Sequence, residues 1–162
     1  MRIEGYAALF GEPDLEGDVI RAGAFRRSLR ERPVVPMLLL HQPRLACGQW
    51  TSLREDGRGL FVRGEIQASA PAGLLAQRCV RAGMDGLSIG FRTNLFARRP
   101  DGRDLHDLTL IEISIVPEPM APRARLTRVP TQEEKALSDA EGNQDAGAAS
   151  RRGRRRCAAA HV

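Results

Sequence analysis

The sequence has no long hydrophobic run, and this absence limits where the protein is expected to work. Its apolar stretches are much shorter than the roughly 20 consecutive residues that a membrane-spanning helix requires. The first residues, Met1-Arg2-Ile3-Glu4-Gly5, do not follow the basic-then-apolar plan of a secretory signal peptide. We therefore expect a cytoplasmic protein with no membrane partner.

Cysteine is scarce and irregularly placed. The three cysteines are Cys47, Cys79 and Cys157, an odd number at wide separations, with no C-x-x-C pair and no histidine at the spacing of a metal ligand. This pattern predicts neither a disulfide framework nor a zinc site. We expect a protein that works without a metal or another cofactor.

Lysine and aromatic residues are also rare. The 25 lysines and arginines include one lysine, Lys135, and aromatic residues make up 4% of the chain. The formal net charge is +5, but positive and negative side chains are interspersed over residues 1–129 and form no stripe that would bind phosphates. Nucleic-acid binding is the weakest interpretation, and it depends on one cluster near the end of the chain: Arg151, Arg152, Arg154, Arg155 and Arg156.

The chain changes character after residue 129. A length of 162 residues is that of one domain, and residues 1–129 alternate short apolar segments with two helical patches. Residues 130–162 have few large apolar side chains, so burial could not offset the entropy lost on ordering them. We expect a folded domain over 1–129 and a disordered tail over 130–162.

The apolar spacing predicts an α+β protein that is mainly β. Strands are predicted over residues 1–10, 34–41, 50–53, 60–67, 86–91 and 108–116, and helices over 22–31 and 71–82. In the second helix one face is expected to be apolar and to consist of Leu74, Leu75, Cys79 and Val80. Residues 98–104 are expected to form a polar loop.

A serine between two glycines lies on one of the predicted strands. The stretch reads Gly86-Leu87-Ser88-Ile89-Gly90-Phe91, and its alternation turns the apolar residues toward the core and Ser88 toward the opposite face. Glycine neighbours would let another backbone approach the hydroxyl, as attack on a peptide carbonyl requires. The alternative is an ordinary solvent-facing strand serine.

Two further residues suited to hydrolytic chemistry lie on other strands. His41 ends the apolar segment 34–41, and Glu112 is embedded in the strand 108–116, where a carboxylate needs a partner. Alternation on that strand places Ile111, Ile113 and Ile115 on one face and Leu110, Glu112 and Ser114 on the other. A serine nucleophile needs a base, and the base benefits from a third group that orients it. Residue types alone leave a serine hydrolase as one interpretation, because strand registers cannot be read from the sequence.

The order of several motifs resembles that in the prohead proteases of HK97-type tailed phages, a family that also includes the maturation proteases of gene transfer agents and prophage remnants. The resemblance covers roughly residues 4 to 125. Its motifs are Gly17-Asp18-Val19-Ile20 with Gly23-Ala24-Phe25, the strand ending in His41, Gly48-Gln49-Trp50, the segment around Ser88, and Glu112-Ile113-Ser114-Ile115-Val116. Such proteases look like herpesvirus assembly proteases. The resemblance therefore implies a distorted antiparallel β-barrel with flanking helices.

The resemblance also implies roles for individual residues. Ser88 matches the nucleophile of the family and His41 its general base, and Glu112 is assigned as the orienting third member. His106 is a rival for that third role, because the herpesvirus relatives use a second histidine there. The alternative for His106 is a loop residue beside Asp104 and Asp107.

The resemblance implies a serine endopeptidase of procapsid maturation. Its expected partners are the major capsid protein and the scaffold, its expected location is the procapsid inside a bacterial host, and self-cleavage is expected. The sequence allows a homo-oligomer without indicating its size. The alternative from another class is a capsid-assembly or scaffold-binding protein that has kept the fold without catalysis.

Overall fold

The apolar alternation of the chain builds an eight-stranded sheet with two short helices. The computed structural model describes residues 1–128, so the predicted tail with its arginine cluster, Lys135 and Cys157 lies outside the described residues. The elements are β1 Arg2–Leu9, β2 Val19–Ile20, α1 Arg26–Glu31, β3 Pro36–Leu39, β4 Gln42–Glu55, β5 Gly59–Ile66, α2 Pro71–Arg81, β6 Gly86–Arg99, β7 Gly102–Val116 and β8 Leu126–Arg128. The prediction of a mainly β protein is confirmed.

Strand β7 pairs with three other strands of the sheet. The strand order is β2-β7-β3-β4-β5-β1-β8, and β6 pairs with β7 off this path. β6 is antiparallel to β7, whereas β2 and β3 run parallel to it. The sheet is thus open and mixed, and it differs from an entirely antiparallel barrel because β2 and β3, much earlier in the chain, run parallel to β7.

The β6–β7 hairpin is longer than predicted and is bent by bulges. Residues 98–104 are not a loop, because β6 continues to Arg99 and β7 begins at Gly102. Pairing passes from Gly90 opposite Glu112 to Phe91 opposite Leu110, which leaves Ile111 as the extra residue of a bulge. Ile111 is exposed for this reason, so its predicted place beside the buried Ile113 and Ile115 is wrong.

Helix α2 does not pack through its leucines. Gly73, Ala76, Gln77 and Val80 are the buried positions, whereas Leu74 and Leu75 are about half exposed. A side chain at Gly73 would meet the carbonyl oxygens of Gln67 and Cys47, so glycine permits close contact between the helix and the chain beside it. The predicted apolar face is therefore wrong for the two leucines.

Helix α1 is shorter than predicted and is joined to the sheet by polar contacts. The Phe25 N–H donates to Glu55 Oε1 at 2.7 Å, and Ser28 Oγ accepts from the Leu110 N–H at 2.9 Å. The Phe25 ring is fully buried in the core. Within residues 1–128 no helix has the length and apolarity to cross a membrane.

Candidate active site

The turn between β3 and β4 presents His41 in an unusual backbone conformation. Leu39 pairs with Gln42, so Leu40 and His41 are the two central residues of the hairpin turn. Both have φ of 57°, a region that residues other than glycine rarely adopt and that costs about 1–3 kcal/mol per residue. The Leu40 N–H donates to the Ile115 carbonyl at 3.0 Å, which ties the turn to β7. The sequence reaches this conformation without the Asn-Gly pair that usually favours it.

Glu112 on β7 supplies the partner of the His41 ring. His41 Nδ1 lies 2.7 Å from Glu112 Oε1, and the Ser114 hydroxyl donates to Glu112 Oε2 at 2.6 Å. Glu112 is only 8% exposed, and among the residues that the structure describes His41 is the one basic side chain within ion-pair distance of it. Both carboxylate oxygens are thus satisfied, as a buried charge requires.

Ser114 links the carboxylate to the backbone of the histidine turn. Its hydroxyl oxygen accepts the His41 N–H at 3.1 Å while its proton goes to Glu112. The side chain is fully buried. One hydroxyl therefore holds both the strained turn and the carboxylate, a role that was not predicted although the Glu-x-Ser spacing puts both side chains on one face of β7.

Ser88 lies opposite Ser114 on the neighbouring strand. The two serines are paired in the β6–β7 ladder, so their side chains share one face with Cβ atoms about 4.5–5.5 Å apart. Ser88 is 6% exposed, which excludes the alternative of a solvent-facing strand serine. Within residues 1–128 its hydroxyl forms no hydrogen bond, and catalytic hydrogen bonds are often long before substrate binds.

The glycines beside Ser88 make room for the protein's own groups. A Cβ at Gly90 would lie 2.5 Å from Glu112 Oε1, and a Cβ at Gly86 would lie 2.5 Å from the Val116 carbonyl oxygen. At Gly86 the approaching group is a backbone carbonyl of β7, whereas at Gly90 it is a carboxylate, and the approach of a substrate backbone stays a prediction. Gly90 is the position that allows the Glu112 carboxylate to reach His41.

The arrangement has the chemistry of a nucleophile, a base and an orienting carboxylate. With Glu112 accepting from Nδ1, the other ring nitrogen of His41, Nε2, is free to accept a proton. Cys47 is no rival nucleophile, because burial raises the pKa of its thiol to about 11 and a thiol is reactive only as the thiolate.

His106 lies away from this cluster. It is an exposed residue of β7, six positions before Glu112, and six residues of strand span roughly 20 Å. The predicted loop around it is a strand. In residues 1–128 no group of three or more histidine, cysteine or acidic residues has the arrangement of a metal site.

Solved structures share this fold. The structure of the bacteriophage T4 capsid assembly protease matches with a TM-score of 0.58 at 15% identity, over 71% of this chain and 80% of that one. The protease of Kaposi's sarcoma-associated herpesvirus, crystallised with a hexapeptide phosphonate inhibitor, matches with a TM-score of 0.50 at 13% identity, over 88% of this chain and 76% of that one. The fold class is thus one that occurs in viral proteases.

The sequence specifies the family. Residues 1–138 match the model of the caudovirus prohead serine proteases, and the chain belongs to that family. The prohead protease of Enterobacteria phage HK97 is 34% identical over 118 residues, which are 69% of this chain and 52% of that protein. The chain therefore spans about half the length of that relative. The family predicted from the motifs is confirmed.

Proposed function

We propose that the chain is a serine endopeptidase that cleaves the scaffold, or the scaffolding segment of the major capsid protein, inside the procapsid. The observation that carries the proposal is the 2.7 Å contact between His41 Nδ1 and Glu112 Oε1 on the strand that pairs with Ser88. Membership of the prohead protease family supports the substrate class. Membership of the same family also supports the proposal that the enzyme cuts its own chain.

Ser88 acts as the nucleophile in this mechanism. Its Oγ attacks the carbonyl carbon of the scissile peptide bond as the hydroxyl proton passes to His41 Nε2. Glu112 keeps the ring in the tautomer with hydrogen on Nδ1 and stabilises the imidazolium that forms. The imidazolium then protonates the leaving amine, which departs and leaves the acyl group on Ser88 Oγ. A water molecule next gives a proton to His41 Nε2 and attacks the acyl carbon. The imidazolium returns the proton to Ser88 Oγ as the acyl group is released.

Ser114 is a positioning residue in the same mechanism. Its contacts with the His41 N–H and with Glu112 Oε2 fix two members of the site relative to each other. Such fixed geometry matters because displacement of about 1 Å can cost a hundredfold in rate. A protein that only binds scaffold would have no need of a buried carboxylate bonded to an exposed imidazole.

Co-expression with the cognate major capsid protein tests the proposal. The wild-type enzyme is expected to shorten the capsid protein, and Ser88→Ala is expected to lower the rate by about 10⁶-fold while the protein stays folded. Ser52→Ala, at an exposed position of β4, is the matched control and should cleave normally. Fluorophosphonate labelling of purified protein reports the nucleophile directly.

Two results would overturn the proposal. Normal capsid processing by Ser88→Ala would remove Ser88 from the mechanism. Wild-type protein that binds capsid protein without cutting it, and that takes up no fluorophosphonate, would instead be the non-catalytic assembly protein.

A further inference from the structure

A cavity of about 240 Å³ lies directly beside Ser88. Three consecutive residues of β6, Leu87, Ser88 and Ile89, line one side of it, and Ala7 and Ala8 of β1 line another. Because consecutive strand residues face opposite sides of a sheet, a cavity that all three line extends along the edge of β6. The volume is below the roughly 300–1,000 Å³ of sites that enclose drug-sized ligands, so it fits a single side chain.

The lining of this cavity is strongly acidic. Its lining includes Glu12, Asp14, Glu16 and Asp18, against Arg103 as the one basic residue that lines it. Asp18 is already neutralised, because Arg103 Nε donates to both of its carboxylate oxygens at 3.0 and 3.1 Å. Within the lining Asp14 and Glu16 keep the remaining charge negative, and Arg98 and Arg99 line the adjoining cavity that Glu16 also borders.

The acidic loop is held in place by its own backbone. Asp14 Oδ1 accepts the N–H groups of Glu16 and Asp18, each at 2.9 Å, which fixes the loop between β1 and β2. Glu12 pairs with Arg123 at 2.6 Å, an arginine that is not part of the lining. The Glu16 side chain makes no hydrogen bond or ion pair within residues 1–128 and is exposed. Glu16 is therefore the carboxylate most available to a ligand.

Ser88 itself provides the independent sign of a ligand. It is a polar side chain that is more than nine-tenths buried, it lacks a hydrogen-bond partner in the described part of the chain, and it lines this same cavity. His41 and Glu112 do not line it. The cavity is therefore distinct from the His41–Glu112 contact, and a peptide bond at Ser88 would lie beside it.

We propose that this cavity binds an arginine or lysine side chain of the substrate, next to the bond that is cut. The inference rests on the proposed function, since it assigns the substrate class of the same site. Alanine and aliphatic side chains around the cavity suit the methylene stem of a long basic side chain. The carboxylates suit its charged end, because hydrogen bonds between ionised groups are roughly twice as strong as neutral ones. An acidic substrate side chain would be repelled.

Peptides that span the capsid cleavage junction test the inference. The junction is first located by mass spectrometry of the processed capsid protein, and we expect an arginine or lysine directly beside the cut. Replacing that residue by alanine should lower kcat/KM about tenfold or more, and by glutamate further still. In the Glu16→Lys enzyme the preference for the basic peptide should shrink or reverse. Glu65→Lys, an exposed change on β5 outside the cavity, should keep the wild-type preference.

The failure of this inference is distinguishable from failure of the proposed function. Fluorophosphonate labelling with equal cleavage of the basic, alanine and glutamate peptides would overturn the basic pocket and leave the protease intact. A junction without a basic residue would do the same. Binding is measured separately by calorimetry with the Ser88→Ala protein, where equal affinity for the basic and alanine peptides would also overturn the pocket, whether or not any peptide is cut.

Discussion

Glu112 and Asp18 are both buried carboxylates, yet their surroundings differ in one decisive way. Asp18 is 4% exposed and forms a salt bridge with Arg103, which donates hydrogen bonds from Nε and from a terminal nitrogen. Hydrogen bonding to Asp18 raises the pKa of Arg103, a side chain that is always protonated in any case. The partner of Asp18 therefore keeps its positive charge and cannot accept a proton as a base would.

Glu112 is paired instead with a residue type whose charge ordinarily changes near neutral pH. Its histidine is about half exposed, at 46% of the side chain, and projects from a turn with two positive φ values. The histidine is strained and exposed while the glutamate is buried, and the stability of the fold requires neither feature. The two carboxylates thus differ in the basic side chain that each one contacts, a permanent cation for Asp18 and a histidine for Glu112, and we expect only Glu112 to take part in catalysis.

The largest effect is expected from removing the charge of Glu112. Glu112→Gln keeps the size of the side chain but favours the wrong tautomer of His41, so kcat should fall by about 10⁴-fold, less than for loss of Ser88. Unfolding in urea should change by less than about 1 kcal/mol. His106→Ala is the comparison variant and should cleave at nearly the wild-type rate. A crippled His106→Ala beside a normal Glu112→Gln would mean a Ser-His-His site.

A smaller effect is expected from crowding the carboxylate while its charge is left in place. The new Cβ of Gly90→Ala would lie 2.5 Å from Glu112 Oε1, so the carboxylate must shift away from His41. A shift of that size should lower kcat about 10²-fold. Gly57→Ala, where nothing lies within 4 Å, controls for the loss of glycine. If Gly90→Ala cleaves as fast as the wild type, the position of Glu112 does not limit the reaction.

Residue types and motif order predict which residues form the candidate site, but they do not predict its geometry. Ser88, His41 and Glu112 were identified by residue type and by the order of family motifs, and the structure brings His41 and Glu112 into contact. No role is predicted for Ser114, because its contacts depend on strand register and register is set by contacts between distant segments. The same limit hid the true neighbour of Gly90, which is a carboxylate from the paired strand.

Errors in the predicted fold have local causes of the same kind. Ile111 reads as a core residue by alternation, but a bulge that no local signal marks turns it outward. Leu74 and Leu75 read as part of an apolar helix face, but the residues of α2 that are buried are Gly73, Ala76, Gln77 and Val80. The apolar pattern predicts which segments form strands, whereas the direction in which a single side chain points depends on tertiary packing.

Breaking the pair of Asp18 and Arg103 should lower the stability of the protein, whereas Glu112→Gln should lower its rate of cleavage. Asp18→Asn leaves Arg103 without its charged partner, and because that arginine is 39% exposed we expect a loss of about 1–3 kcal/mol in the free energy of unfolding. Ser88 should still label with fluorophosphonate at low temperature. Asp101→Asn, an exposed acid of the β6–β7 turn, is the control and should be neutral. Loss of labelling in a folded Asp18→Asn protein would contradict the division between the two carboxylates.

Asp56 extends the comparison to a carboxylate held mainly by backbone. Its Oδ1 accepts the N–H groups of Arg58 and Gly59 at 2.9 and 3.2 Å, and Tyr6 donates to Oδ2 at 2.9 Å. These bonds, that of the Arg58 N–H first, lower the pKa of Asp56 below its usual value, and the bond to Asp56 raises the pKa of Tyr6. The group is partly exposed, so the effect on stability should be the smallest of the four.

The pH dependence of Asp56→Asn isolates that effect. Because the folded protein lowers the pKa of Asp56, the stabilisation is complete above the unfolded value of about 3.9 and is lost as pH falls through the lower folded value. The wild type should exceed Asp56→Asn in unfolding free energy by less than about 1 kcal/mol at pH 6, and the difference should shrink steadily below pH 4. Urea unfolding at pH 6, 4 and 3 measures it. A difference that stays constant down to pH 3 would show that the turn needs only a hydrogen-bond acceptor there and that the negative charge of Asp56 is immaterial.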